Sequence, residues 1–115
     1  MTADIDPKDV QPGQVYFAQL EPTRGHEQRG DRPVLVVSSR EHLAMWRGTV
    51  AVVVPLTTQK KPLRFRPKVV DGSWAICDQP RTLDVAERFR RRAKELDPDA
   101  ATFAGICDVT KQMLS

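Results

Sequence analysis

Three short runs concentrate the side chains that could do chemistry. His26, Glu27, Gln28, Arg29, Asp31 and Arg32 lie within GHEQRGDRP. Thr57, Thr58 and Gln59 form the second run, and Cys77, Asp78, Gln79 and Arg81 the third. Arginine binds phosphate oxygens through two parallel hydrogen bonds and keeps its charge near neutral pH. A threonine hydroxyl donates to a non-bridging oxygen. A carboxylate or histidine can take a proton from a ribose 2′-OH. The set suits metal-free handling of a phosphodiester. Other chemistries find less support. His26 and His42 are far apart in sequence, as are Cys77 and Cys107, and no CxxC, HxxxH or HExxH spacing occurs, so no zinc site is expected. GHEQRG lacks the Lys-Ser/Thr ending and following helix of a phosphate loop. No serine sits on a nucleophile elbow.

Rigid elements must bring these runs together, and strand ends do so well. QVYFAQL (14–20) alternates and is rich in β-formers, so it reads as a strand. A polar loop (21–33) ends at Pro33, and VLVVSS (34–39) is a short apolar strand expected to be buried on both faces. REHLAMW (40–46) has the makings of a short helix. TVAVVVPL (49–56) is the clearest strand, with Pro55 near its end, where a missing N–H costs little. RFRPKVV (64–70) reads as an edge strand, Asp71-Gly72 as a turn, and 73–83 as extended. Periodicity alone makes 84–96 a helix, because Val85, Phe89 and Arg92 share a face. Asp97 and Asp99 flank Pro98 and offer an N-cap. Thereafter Ala101, Phe103, Ala104, Ile106, Cys107, Thr110 and Met113 or Leu114 recur at helical spacing. Five or more strands followed by one amphipathic helix predict a small barrel or curled sheet with a packed C-terminal helix.

GQVYFAQLEPTRGHEQRGDRPVLVVSS, VVVPLTTQ and ICDQPRTLD, in that order, resemble the signature blocks of the MazF/PemK (Kid) family of type II toxin–antitoxin toxins. The likeness runs from about Gly13 to Asp84 and extends less distinctly to the C-terminal helix. It implies an α+β, mainly β fold: an SH3-like small barrel of the CcdB/PemK type with a C-terminal helix, built as a homodimer. It also implies sequence-selective, metal-free cleavage of single-stranded RNA without a cofactor. The 2′-OH attacks its own phosphate, leaving 2′,3′-cyclic phosphate and 5′-OH ends, and a MazE/PemI-like antitoxin blocks the site. By position, the family's catalytic arginine falls on Arg32 and its catalytic threonine on Thr57, with Glu27 a candidate proton shuttle. His26 and Asp78 match residues given positioning or acid–base roles in the PemK-like branch. Gln28, Thr58, Gln59, Gln79 and Arg81 complete the expected substrate contacts. One departure stands out: Ile76 replaces a functional arginine of that branch, which places more weight on Arg32 and Thr57. The resemblance also makes about 90–96 a strand preceded by a short helical turn, against the periodicity.

Each of these residues has a plainer reading. Arg32 could pair with Glu27 or Asp31, and Thr57 could bond its own backbone. Glu27 and Gln28 could solvate the loop, and His26 could be a bystander. Asp78 could pair with Arg81, and Thr58 and Gln59 could cap a turn. Trp46 and Trp74 suit core or dimer packing, or stacking on bases. Cys77 and Cys107 read as small buried hydrophobes.

At 115 residues the chain is the size of one domain spanning 1–115, with no internal repeats. Net charge is +3, and the basic side chains of RTLDVAERFRRRAK (81–94) suit a polyanion or merely a solvated face. No run of about 18 apolar residues predicts a membrane span. The polar start lacks a signal-peptide apolar stretch, so a cytoplasmic protein with reduced cysteines is expected. Two other functions compete: a CcdB-like gyrase-binding toxin, although KQMLS lacks the tail residues of those relatives, and a catalytically silent RNA- or antitoxin-binding relative.

Overall fold

The computed structural model describes residues 5–20, 30–60 and 65–114. Seven strands form one antiparallel sheet: β1 (Val15–Ala18), β2 (Arg32–Val36), β3 (Val50–Thr57), β4 (Lys68–Val70), β5 (Ser73–Ala75), β6 (Arg81–Asp84) and β7 (Phe89–Arg92). Their order is β4-β5-β3-β2-β1-β7, and β6 also pairs with β3. Short helices α1 (Arg40–Met45) and α2 (Val85–Arg88) sit between strands, and α3 (Ala100–Leu114) closes the chain.

β3 organises the sheet. Its first half pairs with β6, Val50 to Val53 against Asp84 to Arg81, and its last residues pair with β5, Leu56 against Ala75. Serving two partners along one edge curls the sheet. Alternation then sorts the side chains into two cores. Tyr16, Ala18, Val34, Val36, Val53 and Phe89 pack on one face with Leu43 of α1. Val15, Leu35, Val54, Leu56, Ala75 and Cys77 pack on the other, under Ile106 of α3. This is the mainly β architecture with a C-terminal helix that the sequence predicts.

Several local expectations are corrected. Residues 84–96 are not one helix. Asp84 caps a single turn by accepting from the Glu87 N–H at 3.1 Å, and the chain returns to strand at Phe89. The edge of β1 needs a partner, and β7 fills it in register, Tyr16 against Arg92 and Phe17 against Arg91. Phe89 is buried against Tyr16, their ring centroids 4.8 Å apart. Tertiary pairing outweighs helical periodicity here. Strand β2 begins at Arg32 and stops before Ser38, and within 64–70 only Lys68–Val70 is strand among the described residues. The extended stretch 73–83 is broken by a turn at Cys77 and Asp78.

The two aspartates around Pro98 do different work. Asp99 caps α3 by accepting from the Thr102 N–H at 2.7 Å, so Pro98 precedes the cap instead of opening the helix. Asp97 accepts from the Val15 N–H at 2.9 Å and from Arg92 twice, at 2.8 and 2.7 Å. It fastens the approach to α3 onto β1 and β7. The apolar face of α3 is also narrower than its spacing implies. Ile106 and Thr110 are buried, whereas Ala101, Ala104, Met113 and Leu114 are exposed.

Candidate active site

The pattern that buries the first core also builds the site. Val34 and Val36 face that core, so Arg32 continues the same row to the end of β2. On β3, Val53 lies in that core, and Pro55 and Thr57 extend its row. Val34 pairs with Pro55 at the end of the β2–β3 ladder, and Arg32 and Thr57 lie two residues beyond it, one on each strand. Residues opposite each other in a ladder point to the same face. A cationic fork and a hydroxyl therefore emerge together where the apolar rows run out.

Two cavities meet at this pair. One, of about 300 Å³, is lined by Gln19, Leu20, Gly30, Arg32, Pro55, Leu56, Thr57, Ile76, Gln79 and Arg81. The other, of about 490 Å³, is lined by Arg32, Pro33, Leu56, Thr57, Thr58, Gln59, Asp71, Gly72, Ser73 and Leu96. Arg32, Leu56 and Thr57 belong to both. The Arg32 side chain is exposed, and Thr57 is half-buried. The Thr57 oxygen accepts the Gln59 N–H at 3.1 Å, which orients the hydroxyl and leaves its own proton to donate. Bonding to its own backbone and bonding to a substrate are compatible for this residue.

Of the residues expected from the sequence, Arg32, Thr57, Gln79 and Arg81 share the first cavity, and Thr58 and Gln59 join Arg32 and Thr57 in the second. Asp78 is exposed on the adjoining turn and is not among the residues lining either cavity. His26, Glu27 and Gln28 lie outside the described residues. Ile76 lines the first cavity, so an apolar side chain occupies that wall. Its backbone N–H bonds the Pro55 carbonyl at 2.8 Å, which ties the third run to β3.

The sequence reading missed Gln19 and Leu20, which line the first cavity at the end of β1. Arg81 Nη1 donates to the Leu20 carbonyl at 3.1 Å, so this arginine helps shape the wall as well as charging it. The available signal was the polar Gln19 at the end of an alternating strand.

Neighbouring groups set the electrostatics. Burial pushes the Cys77 thiol above its ordinary pKa, and Cys107 is raised for the same reason. Both stay protonated near neutral pH and are poor nucleophiles. Lys68 bonds Asp71 at 2.7 Å at the mouth of the second cavity and holds that carboxyl below the ordinary range. Among the described residues no three His, Cys, Asp or Glu side chains gather where they could hold a metal ion. No described helix is long and apolar enough to cross a membrane.

Residues 11–104 match the family model of the PemK-like, MazF-like toxin of type II toxin–antitoxin systems. The endoribonuclease PemK of Escherichia coli is 35% identical over an alignment covering 76% of this chain and 71% of that protein. Solved structures share the fold. MazF (Form-I) from Deinococcus radiodurans superimposes with a TM-score of 0.66 at 21% identity, covering 91% of this chain and 96% of that one. An endoribonuclease in complex with its cognate antitoxin, from a mycobacterial species, gives 0.70 at 22% identity, covering 91% and 94%.

Proposed function

The chain belongs to the PemK-like, MazF-like toxin family of type II toxin–antitoxin systems, and from that premise we propose its reaction. It is an endoribonuclease. Its substrate is single-stranded RNA, cut at selected sequences, and its nucleophile is the ribose 2′-OH beside the scissile phosphate. The 2′-oxygen forms a bond to phosphorus, the bond from phosphorus to the 5′-oxygen breaks, and the products carry 2′,3′-cyclic phosphate and 5′-OH ends. One proton leaves the 2′-OH and one reaches the departing 5′-oxygen.

The observation that carries this reading is the meeting of two cavities at Arg32 and Thr57. A phosphate at that meeting point leaves each cavity for one flanking nucleotide. Arg32 offers donors to the charge that builds on the phosphoryl oxygens, as a fixed donor set does for any developing anion. Thr57 donates its hydroxyl proton to a second oxygen. Arginine is a poor base, so Glu27 is assigned the proton transfer. Thr58, Gln59, Gln79 and Arg81 contact the flanking nucleotides, with His26, Gln28 and Asp78 adding to binding. The protein works as a single domain and a homodimer in the cytoplasm, restrained by a MazE/PemI-like antitoxin.

Purified protein incubated with a long single-stranded RNA in EDTA tests this. The expected result is discrete fragments with 2′,3′-cyclic phosphate ends. RNA left whole in EDTA, or fragments with 5′-phosphate ends, would contradict it. The gyrase-binding alternative predicts inhibition of supercoiling with the RNA intact.

A further inference from the structure

Each arginine of the basic run at 88–92 meets a neighbouring group. Arg92 makes two bonds to Asp97, and the Arg91 guanidinium lies 4.1 Å from the centroid of the Phe17 ring. Arg88 Nη1 reaches the Gln19 carbonyl at 3.5 Å. Arg90 differs in what it joins. Its Nη2 donates to Gln19 Oε1 at 3.0 Å, and its Nη1 donates to the Glu87 carbonyl at 2.8 Å. Its Nε lies 4.0 Å from Asp31 Oδ1. Gln19 lines the cavity beside Arg32, and Asp31 precedes Arg32 in the chain. One planar guanidinium, anchored on a carbonyl of α2, thus touches the end of β1 and the residue before β2.

We propose that Arg90 is a positioning residue for the RNA cleavage described above, and the proposal rests on that reading. Arg90 holds Gln19 and Asp31, and through Asp31 the backbone of Arg32, in the arrangement that receives the scissile phosphate. The ion pair adds little to stability, because the Arg90 and Asp31 side chains are 32% and 40% exposed and water screens them, so its part is to set position. The two fork bonds, to Gln19 Oε1 and the Glu87 carbonyl, fix the guanidinium so that its Nε faces Asp31.

Arg90→Lys keeps the charge but has no planar fork, and Gln19→Leu keeps the bulk but removes the acceptor. Each variant is expected to lower the single-turnover rate on a long single-stranded RNA roughly tenfold or more. The double variant should be little slower than the worse single one, because the two residues act through one contact. Melting temperature of both variants, and the affinity of Arg90→Lys for a fully 2′-O-methylated RNA oligonucleotide, should stay near wild type. Cleavage by Arg90→Lys at the wild-type rate would overturn the proposal, since charge alone would then suffice. So would losses that multiply in the double variant. If the wild-type protein cuts no RNA, the function proposed above falls, and positioning is read from amide NMR signals instead. Arg90→Lys should shift the signals of Gly30, Asp31 and Arg32, and unmoved signals would overturn the inference.

Discussion

The two ends of β3 each carry a basic hollow, yet only one is built for chemistry. The strand is eight residues long, so its ends lie about 24 Å apart. At the far end, Lys8, Arg40 and Arg47 line a cavity of about 370 Å³ with Leu43 and Gly48. It is larger than the first cavity at Arg32 and lined by more basic side chains. Its polar groups hold the molecule together: Arg40 Nη1 donates to Gln11 Oε1 at 3.0 Å, and the Gly48 N–H donates to the Leu43 carbonyl at 2.8 Å. Lysine, arginine and the Gln11 amide line it, but no hydroxyl does. At the Arg32 end, strand register sets a guanidinium, a hydroxyl and side-chain amides around one space. Charge and concavity mark both ends, whereas a hydroxyl beside a guanidinium marks one.

The sharpest way to break this comparison is to remove matching arginines. Arg32→Ala should reduce RNA cleavage by about 10²–10³-fold, the loss seen when one donor to a developing anion is deleted. Arg40→Ala and Arg47→Ala, assayed on the same RNA, should cut within about twofold of wild type, because surface changes of this kind act weakly. Equal losses at both ends would erase the distinction. At Thr57, Val should lower the rate by roughly tenfold to a hundredfold while Ser retains most of it, if the hydroxyl proton is what matters.

The far end should respond in stability instead. Gly48 has φ +74°, and a Cβ there would lie 1.9 Å from the Pro7 carbonyl oxygen. Gly48→Ala should cost about 2–3 kcal/mol, read by denaturant unfolding, with cleavage per folded molecule unchanged. A smaller, pH-dependent effect belongs to Asp99. The Thr102 N–H bonds its carboxylate and lowers its pKa. That stabilisation is present above the ordinary carboxylate range and disappears as pH falls through the lowered value. Asp99→Ala should therefore melt a few degrees below wild type at pH 7. The gap should close in strong acid, as melting curves across pH would report.

Much of the site was legible because it follows a two-residue period. The apolar alternation of β2 and β3 fixes which face each residue takes, and Arg32 and Thr57 are the polar residues that continue those rows. Ladder register, which no single strand reveals, then makes them neighbours. The failures share a cause. Val85, Phe89 and Arg92 have helical spacing, but the open edge of β1 recruits Phe89–Arg92 as a strand, a demand made elsewhere in the chain. Gln19 was missed because its place at the site depends on β7, which supplies Arg90 as its partner. Asp97 and Asp99 look equivalent in sequence, and only the packing of Arg92 separates clamp from cap. Trp46 is half exposed at the end of α1, so core packing does not account for it.

The central claim is that Arg32 and Thr57 act on one phosphate as a unit. Single-turnover cleavage of one defined RNA by wild type, Arg32→Ala, Thr57→Val and the double variant tests it most directly. The expected result is a large loss in Arg32→Ala and a double variant little slower than that, as for residues that work together. Losses that multiply, or an Arg32→Ala protein that cuts at the wild-type rate, would contradict it.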